Sequence, residues 1–214
     1  MNAIKRFLHR CRDYAGSFDG RTQVYFEDAC NGHKRITEVA SSFAPLYRKN
    51  LKNEKHTCNL LEMIQLSIRL IQSKKSSKGV TFEIAVDDNI IVDMYGGELQ
   101  TVFINLLDNA CFWLNETNQN NKIIEISATP LESKRHKITV SDNGPGVPED
   151  EADKIFYPGI TSKLRGIGMG LVIVSEILSY YNGKIATSVP GNLDGATFFF
   201  DIPTRRSVNE TFTN

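Results

Sequence analysis

Residues 98–114, ELQTVFINLLDNACFWL, decide how the rest of the chain is read. At helical pitch Leu99, Val102, Phe103, Leu106, Leu107, Ala110 and Leu114 fall on one apolar stripe, so the stretch is a helix facing a core. Asn105 and Asn109 lie off that stripe, one turn apart, and project from a single flank. Asn is a mediocre helix former because its amide competes for backbone hydrogen bonds, so two of them stacked here ask for a use. Neutral oxygen ligands for Mg²⁺, shared with phosphate oxygens and water, are one such use. A solvated flank is the other.

Upstream, residues 59–73 (NLLEMIQLSIRLIQS) form a second amphipathic helix, ended by the Lys/Ser-rich run 74–78 and Gly79. Val80, Phe82, Ile84 and Val86 alternate with Thr81, Glu83 and Ala85, the period of a half-buried strand. Asp87-Asp-Asn89 makes a turn, residues 90–94 are a short apolar run, and Gly96-Gly97 lead into the Asn-bearing helix. Downstream of that helix, a polar loop precedes two strands of a hairpin, 122–129 and 136–140. A long helix follows at 169–181 and stops at Asn182-Gly183; strands at 184–189 and 196–202 come last. Helices and strands mix without βαβ alternation, which predicts an α+β fold, a mixed sheet with helices on one face.

Residues 1–52 read as helical. An amphipathic stretch at 4–14 meets a turn at 16–20, and a long segment reaches about residue 51, with Pro45 marking a kink or an early end. Ile36, Val39, Phe43, Leu46 and Tyr47 sit near helical spacing along it. Two helices joined by a short turn cannot bury both apolar stripes alone, so they pack on a partner or on the domain behind them. The expected organisation is a helical segment at 1–52, an α+β domain at 53–205 and a polar tail at 206–214.

Three further stretches carry chemistry. Ser141-Asp-Asn-Gly-Pro-Gly-Val147 follows a strand directly, and Gly144 and Gly146 allow close backbone approach. A partly buried Asp142 at the strand end accepts an exocyclic amine, as on adenine, and repels the carbonyl that guanine presents. Such a charged hydrogen bond is worth roughly 1.5–3 kcal/mol, enough to select a base; a plain Asp-Asn-Gly turn fits the same letters. Gly166, Gly168 and Gly170, with Leu171, precede the late helix and present backbone N–H groups and a positive dipole end to an anion. The spacing is neither that of a dinucleotide-binding βαβ unit nor of a P-loop. Between the two glycine stretches, Ile155-Phe-Tyr-Pro-Gly-Ile-Thr-Ser-Lys-Leu164 combines chain breakers, hydroxyls and a cation, suiting a mobile lid whose Lys163 reaches a terminal phosphate.

Composition excludes several classes. In 214 residues, 41% are hydrophobic and 23% charged, ordinary for a globular chain, and the formal net charge is zero. Neutrality argues against nucleic-acid or membrane-surface binding driven by bulk charge. No apolar run approaches the roughly 20 residues that span a bilayer, and the start, MNAIKRFLHRCRDY, is too polar for a secretory signal. Cys11, Cys30, Cys58 and Cys111 are scattered without metal-ligand spacing, as expected of a reduced, cytoplasmic protein.

The order of Asn-rich helix, Asp-x-Gly-x-Gly, FYPGITSK, GIGMGL and a late Gly195-Ala-Thr197 strand resembles the GHKL ATP-binding family over roughly residues 57–203. That family includes sensor histidine kinases, DNA gyrase, mismatch-repair ATPases and a large heat-shock chaperone. The resemblance implies a Bergerat two-layer α/β sandwich that binds ATP with Mg²⁺. It implies that Asn105 and Asn109 hold the metal, that Asp142 binds the adenine amine, and that Gly144 and Gly146 line the base pocket. Phe156 would anchor the lid, Lys163 approach phosphate, Gly166, Gly168, Gly170 and Leu171 wrap the triphosphate, and Thr197 support the base.

Hydrolytic members of the family carry a Glu four residues before the metal-binding Asn, as general base on water. Here that position is Asn105, whose amide takes no proton at neutral pH. The chain therefore resembles the histidine kinases, which hold ATP for transfer to a positioned acceptor, and residues 36–51 resemble the second helix of their dimerisation hairpin. That likeness implies a homodimer through the N-terminal helices and a response regulator as partner. None of His9, His33, His56 or His136 has the acidic context of the family's acceptor histidine. The acceptor is then His9 outside the usual context, or it lies upstream in a longer protein or on another chain, or the domain only binds nucleotide. An anti-sigma-factor-like serine/threonine kinase and a nucleotide-gated, non-catalytic interaction module are the rival readings.

Overall fold

The computed structural model describes residues 2–12, 14–42, 56–117, 119–163 and 166–205, which fall into two compact units, Met1–Lys52 and Asn53–Asn214. In the first, helix α1 (Asn2–Arg12) and helix α2 (Gly20–Ser42) are joined through a 3-10 turn at Ala15–Ser17. Asp19 starts α2: its Oδ1 accepts the Thr22 N–H at 2.7 Å, and these local bonds hold its carboxyl below the usual range. Phe18 and Phe26 close the bend edge to face at 5.7 Å. Phe7, Tyr14, Val24 and Tyr25 remain exposed, Tyr25 by 71%. Phe43, Pro45, Leu46 and Tyr47, on which the expected kink rests, lie outside the described residues.

The second unit is the expected α+β sandwich. Its strands are β1 (Cys58–Asn59), β2 (Val80–Ala85), β3 (Ile91–Val92), β4 (Lys122–Leu131), β5 (Arg135–Asp142), β6 (Ile185–Ser188) and β7 (Thr197–Arg205). They form one mixed sheet in the order β1-β3-β7-β5-β4-β2, with β6 also paired to β7. Only β2 and β4 run parallel among these pairs; the rest are antiparallel. Register brings Ile126 opposite Val140, Val140 opposite Phe198, and Ile138 opposite Phe200, so alternate residues of three strands share the inner face. On the outer face Lys137 places its ammonium 4.4 Å from the Phe199 ring centre, shielding an aromatic that would otherwise meet water.

Three helices cover the inner face: α3 (Leu60–Gln72), α4 (Gly96–Glu116) and α5 (Gly170–Tyr180). Leu60, Ile64 and Ile71 of α3, the stripe of α4, and Ile173, Val174, Ile177 and Leu178 of α5 are buried with the strand residues in one core. Phe103 of α4 meets Phe200 of β7 edge to face at 6.0 Å, tying helix layer to sheet. Asn59 caps α3 by accepting the Glu62 N–H at 2.9 Å.

The structure differs from the sequence reading in three places. Gly96-Gly97 form the first turn of α4 rather than its approach. A Cβ on Gly96 would stand 3.1 Å from the Met63 Sδ, so this glycine lets α3 and α4 come close. Residues 90–94 contain a two-residue strand, β3, whose partner is the far end of β7, and β7 consequently runs to Arg205. Among the described residues no helix is long and apolar enough to cross a membrane.

Candidate functional site

Helix α4 is the spine of the site. Its apolar stripe is spent on the core, which leaves Asn105 and Asn109 half-buried on the flank. The Asn105 Nδ2 donates to the Thr101 carbonyl at 2.8 Å, and its Oδ1 faces Gly170, where a Cβ would approach it to 3.0 Å. One turn on, the Asn109 Oδ1 accepts a hydrogen bond from the Lys163 Nζ at 2.8 Å. That ammonium also stands 4.4 Å from the centre of the Phe112 ring. Farther along, the Leu114 side chain comes to 3.7 Å of where a Cβ on Gly144 would be. The glycine run, the lid cation and the Asp-x-Gly-x-Gly turn thus meet the same helix at successive turns. From Asn105 to Leu114 this spans about 14 Å at 1.5 Å per residue.

Asp142, the last residue of β5, is only 4% exposed. Its Oδ1 accepts the Gly144 N–H at 2.9 Å and the Ala196 N–H at 3.2 Å. Burial pushes the carboxyl above the usual range, and the two backbone bonds oppose that shift without cancelling it. Among the described residues Oδ2 has no hydrogen-bond partner, so a strong acceptor is held ready by its sister oxygen. The turn around it is packed backbone on backbone. A Cβ on Gly195 would lie 2.2 Å from the Asp142 carbonyl oxygen and 2.5 Å from the Gly144 nitrogen. Gly146 has φ of +79°, a conformation that favours glycine. Thr197 is buried; its Oγ1 donates to the Ser141 Oγ at 3.0 Å and accepts the Asn192 N–H at 2.8 Å, fixing the loop that carries Gly195. Asn143 is a fastener: its Oδ1 accepts the Ile123 N–H and its Nδ2 donates to the Asn121 carbonyl.

Phe156, on a 3-10 turn in the loop between β5 and α5, packs its ring edge to face on Phe198 at 6.4 Å. The Gly159 N–H donates to the Gly168 carbonyl at 3.2 Å, so the loop crosses itself at its base. Gly168 has φ of +67°, and a Cβ there would meet Gly159 and Ile160 backbone at 2.6 Å. The Gly166 N–H donates to the Lys163 carbonyl at 2.9 Å. Gly170 and Leu171 then open α5, whose N-terminus has no side-chain cap. Its first-turn N–H groups are therefore available to an anion beside Asn105.

The structure accordingly brings Asn105, Asn109, Lys163, Gly170 and Leu171 to one end and Asp142, Gly144, Gly146 and Thr197 to the other, with Phe156, Gly166 and Gly168 in the lid. Sequence reasoning missed the tight seating of Gly195, the ring of Phe112 under Lys163, and Ser141 beneath Thr197. For the first the sequence offers only a glycine beside Asp194, with no sign of the clearance it provides. His136 lines an open cleft of about 630 Å³ at the opposite end of β5, with Asp87, Lys134 and Arg205, and none of the residues above lies in it.

Sporulation kinase E of Bacillus subtilis is 27% identical over 214 residues, 98% of this chain and 27% of that protein. Sensor histidine kinase TmoS of Ectopseudomonas mendocina is 32% identical over 79% of this chain and 18% of its own length. This chain thus spans well under a third of either relative. The solved catalytic domain of histidine kinase ThkA superimposes with a TM-score of 0.60 at 30% identity, covering 70% of this chain and 95% of that one. Residues 94–206, from just before α4 to the end of β7, match the family described as histidine kinase-, DNA gyrase B-, and HSP90-like ATPase. With a buried acid at the end of β5 and paired amides on α4 inside the matched residues, the chain belongs to that ATPase family.

Proposed function

We infer that this chain binds Mg²⁺-ATP along the flank of α4 and presents it for phosphoryl transfer to a histidine, as the catalytic region of a histidine kinase. One observation carries the reading: Asp142 is buried with a single unpartnered oxygen, at the far end of the helix whose near end offers Asn105, Asn109 and Lys163. Asp142 would take the adenine amine through Oδ2. Thr197 and Ser141 hold the glycine turn around it in place.

The residues at the phosphate end fit a shared metal. Among the described residues no group of three or more His, Cys, Asp and Glu could hold an ion by itself. Amide oxygens of Asn105 and Asn109 would supply part of the shell, and phosphate and water the rest. That the Asn109 Oδ1 already accepts from a cationic amine supports a cation at this point. When bound, Mg²⁺ neutralises phosphate charge and orients the chain of phosphates. Lys163 and the α5 N-terminus would hold the terminal phosphate in line for an acceptor and shield it from water. Asn105 cannot act as a base on water, which favours transfer over hydrolysis.

The exposed Phe7, Tyr14, Val24 and Tyr25 of the N-terminal helices support a homodimer through residues 1–52. The histidine kinases among its relatives support a response regulator as final recipient, and free cysteines without metal-ligand spacing support a cytoplasmic setting. His9 is exposed on α1, and no acidic residue follows it, so the acceptor is expected outside this pattern. Incubation with radiolabelled ATP and a histidine-containing substrate tests the reading. Acid-labile, base-stable label lost in Asp142→Asn is expected; acid-stable label would indicate a serine/threonine kinase, and nucleotide binding without any transfer an interaction module.

A further inference from the structure

We propose that the cleft at the far end of β5 is a second ligand site, one that takes a short apolar peptide with free termini. Its residues stand at the end of β5 opposite Asp142, so it does not depend on the nucleotide site proposed above.

Two turns line this cleft of about 630 Å³, a volume in the range of small-molecule pockets. One is the turn after β2, with Asp87 and Asn89; the other closes the β4–β5 hairpin, with Ser133 and Lys134. Each turn contributes one charge. The Asn89 N–H donates to the Asp87 Oδ1 at 2.9 Å, and that bond holds the carboxyl below its usual range and so keeps it charged. Among the described residues the Lys134 ammonium forms no ion pair. The arginines of the cleft are already matched, Arg135 by Asp201 and Arg205 by Asp93 at 3.1 Å. His136 and Thr204 link the two turns: the His136 Nδ1 lies 3.3 Å from the Thr204 Oγ1, and the Thr204 N–H donates to the Lys134 carbonyl at 2.8 Å. Burial lowers the His136 pKa, and Asp87 opposes that shift without cancelling it, so the ring adds no charge at neutral pH.

The hairpin turn is made at a conformational cost. Ser133 has φ of +67° and Lys134 of +58°, values that glycine adopts freely and other residues rarely do. Glycines would close this hairpin with less strain, yet a hydroxyl and an ammonium are kept where they line the cleft. One positive and one negative charge that do not pair with each other suit a zwitterion whose own charges are set apart. Its carboxylate meets Lys134 and the Ser133 hydroxyl, and its ammonium meets Asp87. Ile90 and Leu131 also line the cleft and give the stretch between the termini an apolar surface. A single amino acid carries its charges one carbon apart, whereas a short peptide separates them by its length. A polyanion is disfavoured, because Asp87 repels its second charge.

The test is titration of the full chain, at low salt, with leucyl-leucine, its N-acetyl form and its C-terminal amide, read by backbone amide shifts. Leucyl-leucine should bind saturably and shift the Ser133, Lys134 and His136 amides. Acetylation removes the ammonium and amidation the carboxylate; each should weaken binding roughly three- to fivefold, the size of an exposed ion pair. Lys134→Gln should weaken leucyl-leucine by the same factor and leave binding of the amide form unchanged. Asp87→Asn, which keeps an oxygen for the Asn89 N–H, should do the same with respect to the acetyl form. No saturable shift with leucyl-leucine would overturn the site. Equal binding of the three peptides, or a capping penalty that persists in the matching variant, would overturn the pairing of termini with Lys134 and Asp87. Shifts confined to Asn105, Asn109 and Asp142 would overturn the assignment to this cleft.

Discussion

Replacing Asp142 by Asn is a nearly isosteric change with two opposite consequences. The Gly144 and Ala196 N–H groups both point at Oδ1, so the amide has to keep its oxygen there and turn its NH₂ to the Oδ2 position. Where the carboxylate offers an acceptor to the adenine amine, the variant then offers a donor. Loss of a hydrogen bond to a charged group is worth about 1.5–3 kcal/mol, which at 1.4 kcal/mol per factor of ten predicts about ten- to hundredfold weaker ATP binding. Stability without nucleotide should move the other way. Burial raises the Asp142 pKa in the folded chain, so the folded state prefers it protonated. Its contribution is present below the unfolded pKa and is lost as pH rises through the folded one. Asn carries no such loss. Calorimetric titration with ATP, and melting temperatures from acid to neutral pH, read both effects. The variant should bind ATP weakly, melt above wild type at neutral pH, and lose that advantage towards about pH 4, near the ordinary carboxyl value. Wild-type ATP affinity in the variant would refute the base-reading role, and a melting difference that ignores pH would refute the burial of the charge.

Asn109→Ala removes one amide oxygen from the phosphate end while improving local helix propensity. ATP affinity measured with Mg²⁺ and with EDTA should then differ less than in wild type, and equal Mg²⁺ dependence would exclude Asn109 from the shell. Gly195→Ala places a methyl against the Asp142 carbonyl and the Gly144 nitrogen. Overpacking there should cost roughly 1–3 kcal/mol in denaturant unfolding and weaken ATP binding with it. Tyr181→Phe deletes the hydroxyl that donates to the buried Glu98 at 2.6 Å and accepts the Tyr95 N–H. A loss of about 1–3 kcal/mol in stability with ATP affinity unchanged is expected; a loss of affinity would connect this pair to the site.

How far the sequence could be read depended on the range of the physics involved. The stripe of α4 repeats within a few residues, so its core face and the two off-stripe amides were legible. Asp142 was legible because strand and turn letters adjoin. Two partners of β7 were not: alternation identifies a strand, whereas its neighbours β3 and β5 are separated from it by long stretches of chain. Gly195 illustrates a second limit. A glycine needed for positive φ sits among turn residues, but one needed for clearance is explained only by the atoms that a Cβ would strike. Phe112 shows a third, since an aromatic beside the apolar stripe reads as more core until the cation above it is placed. Thr197 was expected to support the base; the bonds its hydroxyl makes to Ser141 and Asn192 were not legible, because those partners come from separate parts of the chain.

The two ends of the site are built from different materials, and the difference has a mechanistic meaning. At the base end every group that sets the geometry is fixed before any ligand arrives: two backbone N–H groups hold one oxygen of Asp142, and Gly195 leaves no slack around it. At the phosphate end of the proposed site the fixed part is the α4 flank, and the rest is a loop crossed at its base by the Gly159–Gly168 bond. On the proposed function, pre-set hydrogen bonds would select the base at little ordering cost, whereas the loop would have to be ordered around whatever phosphates enter. Base identity would then be read at the turn around Asp142, apart from the α4 flank where Asn105 and Asn109 would meet the phosphates.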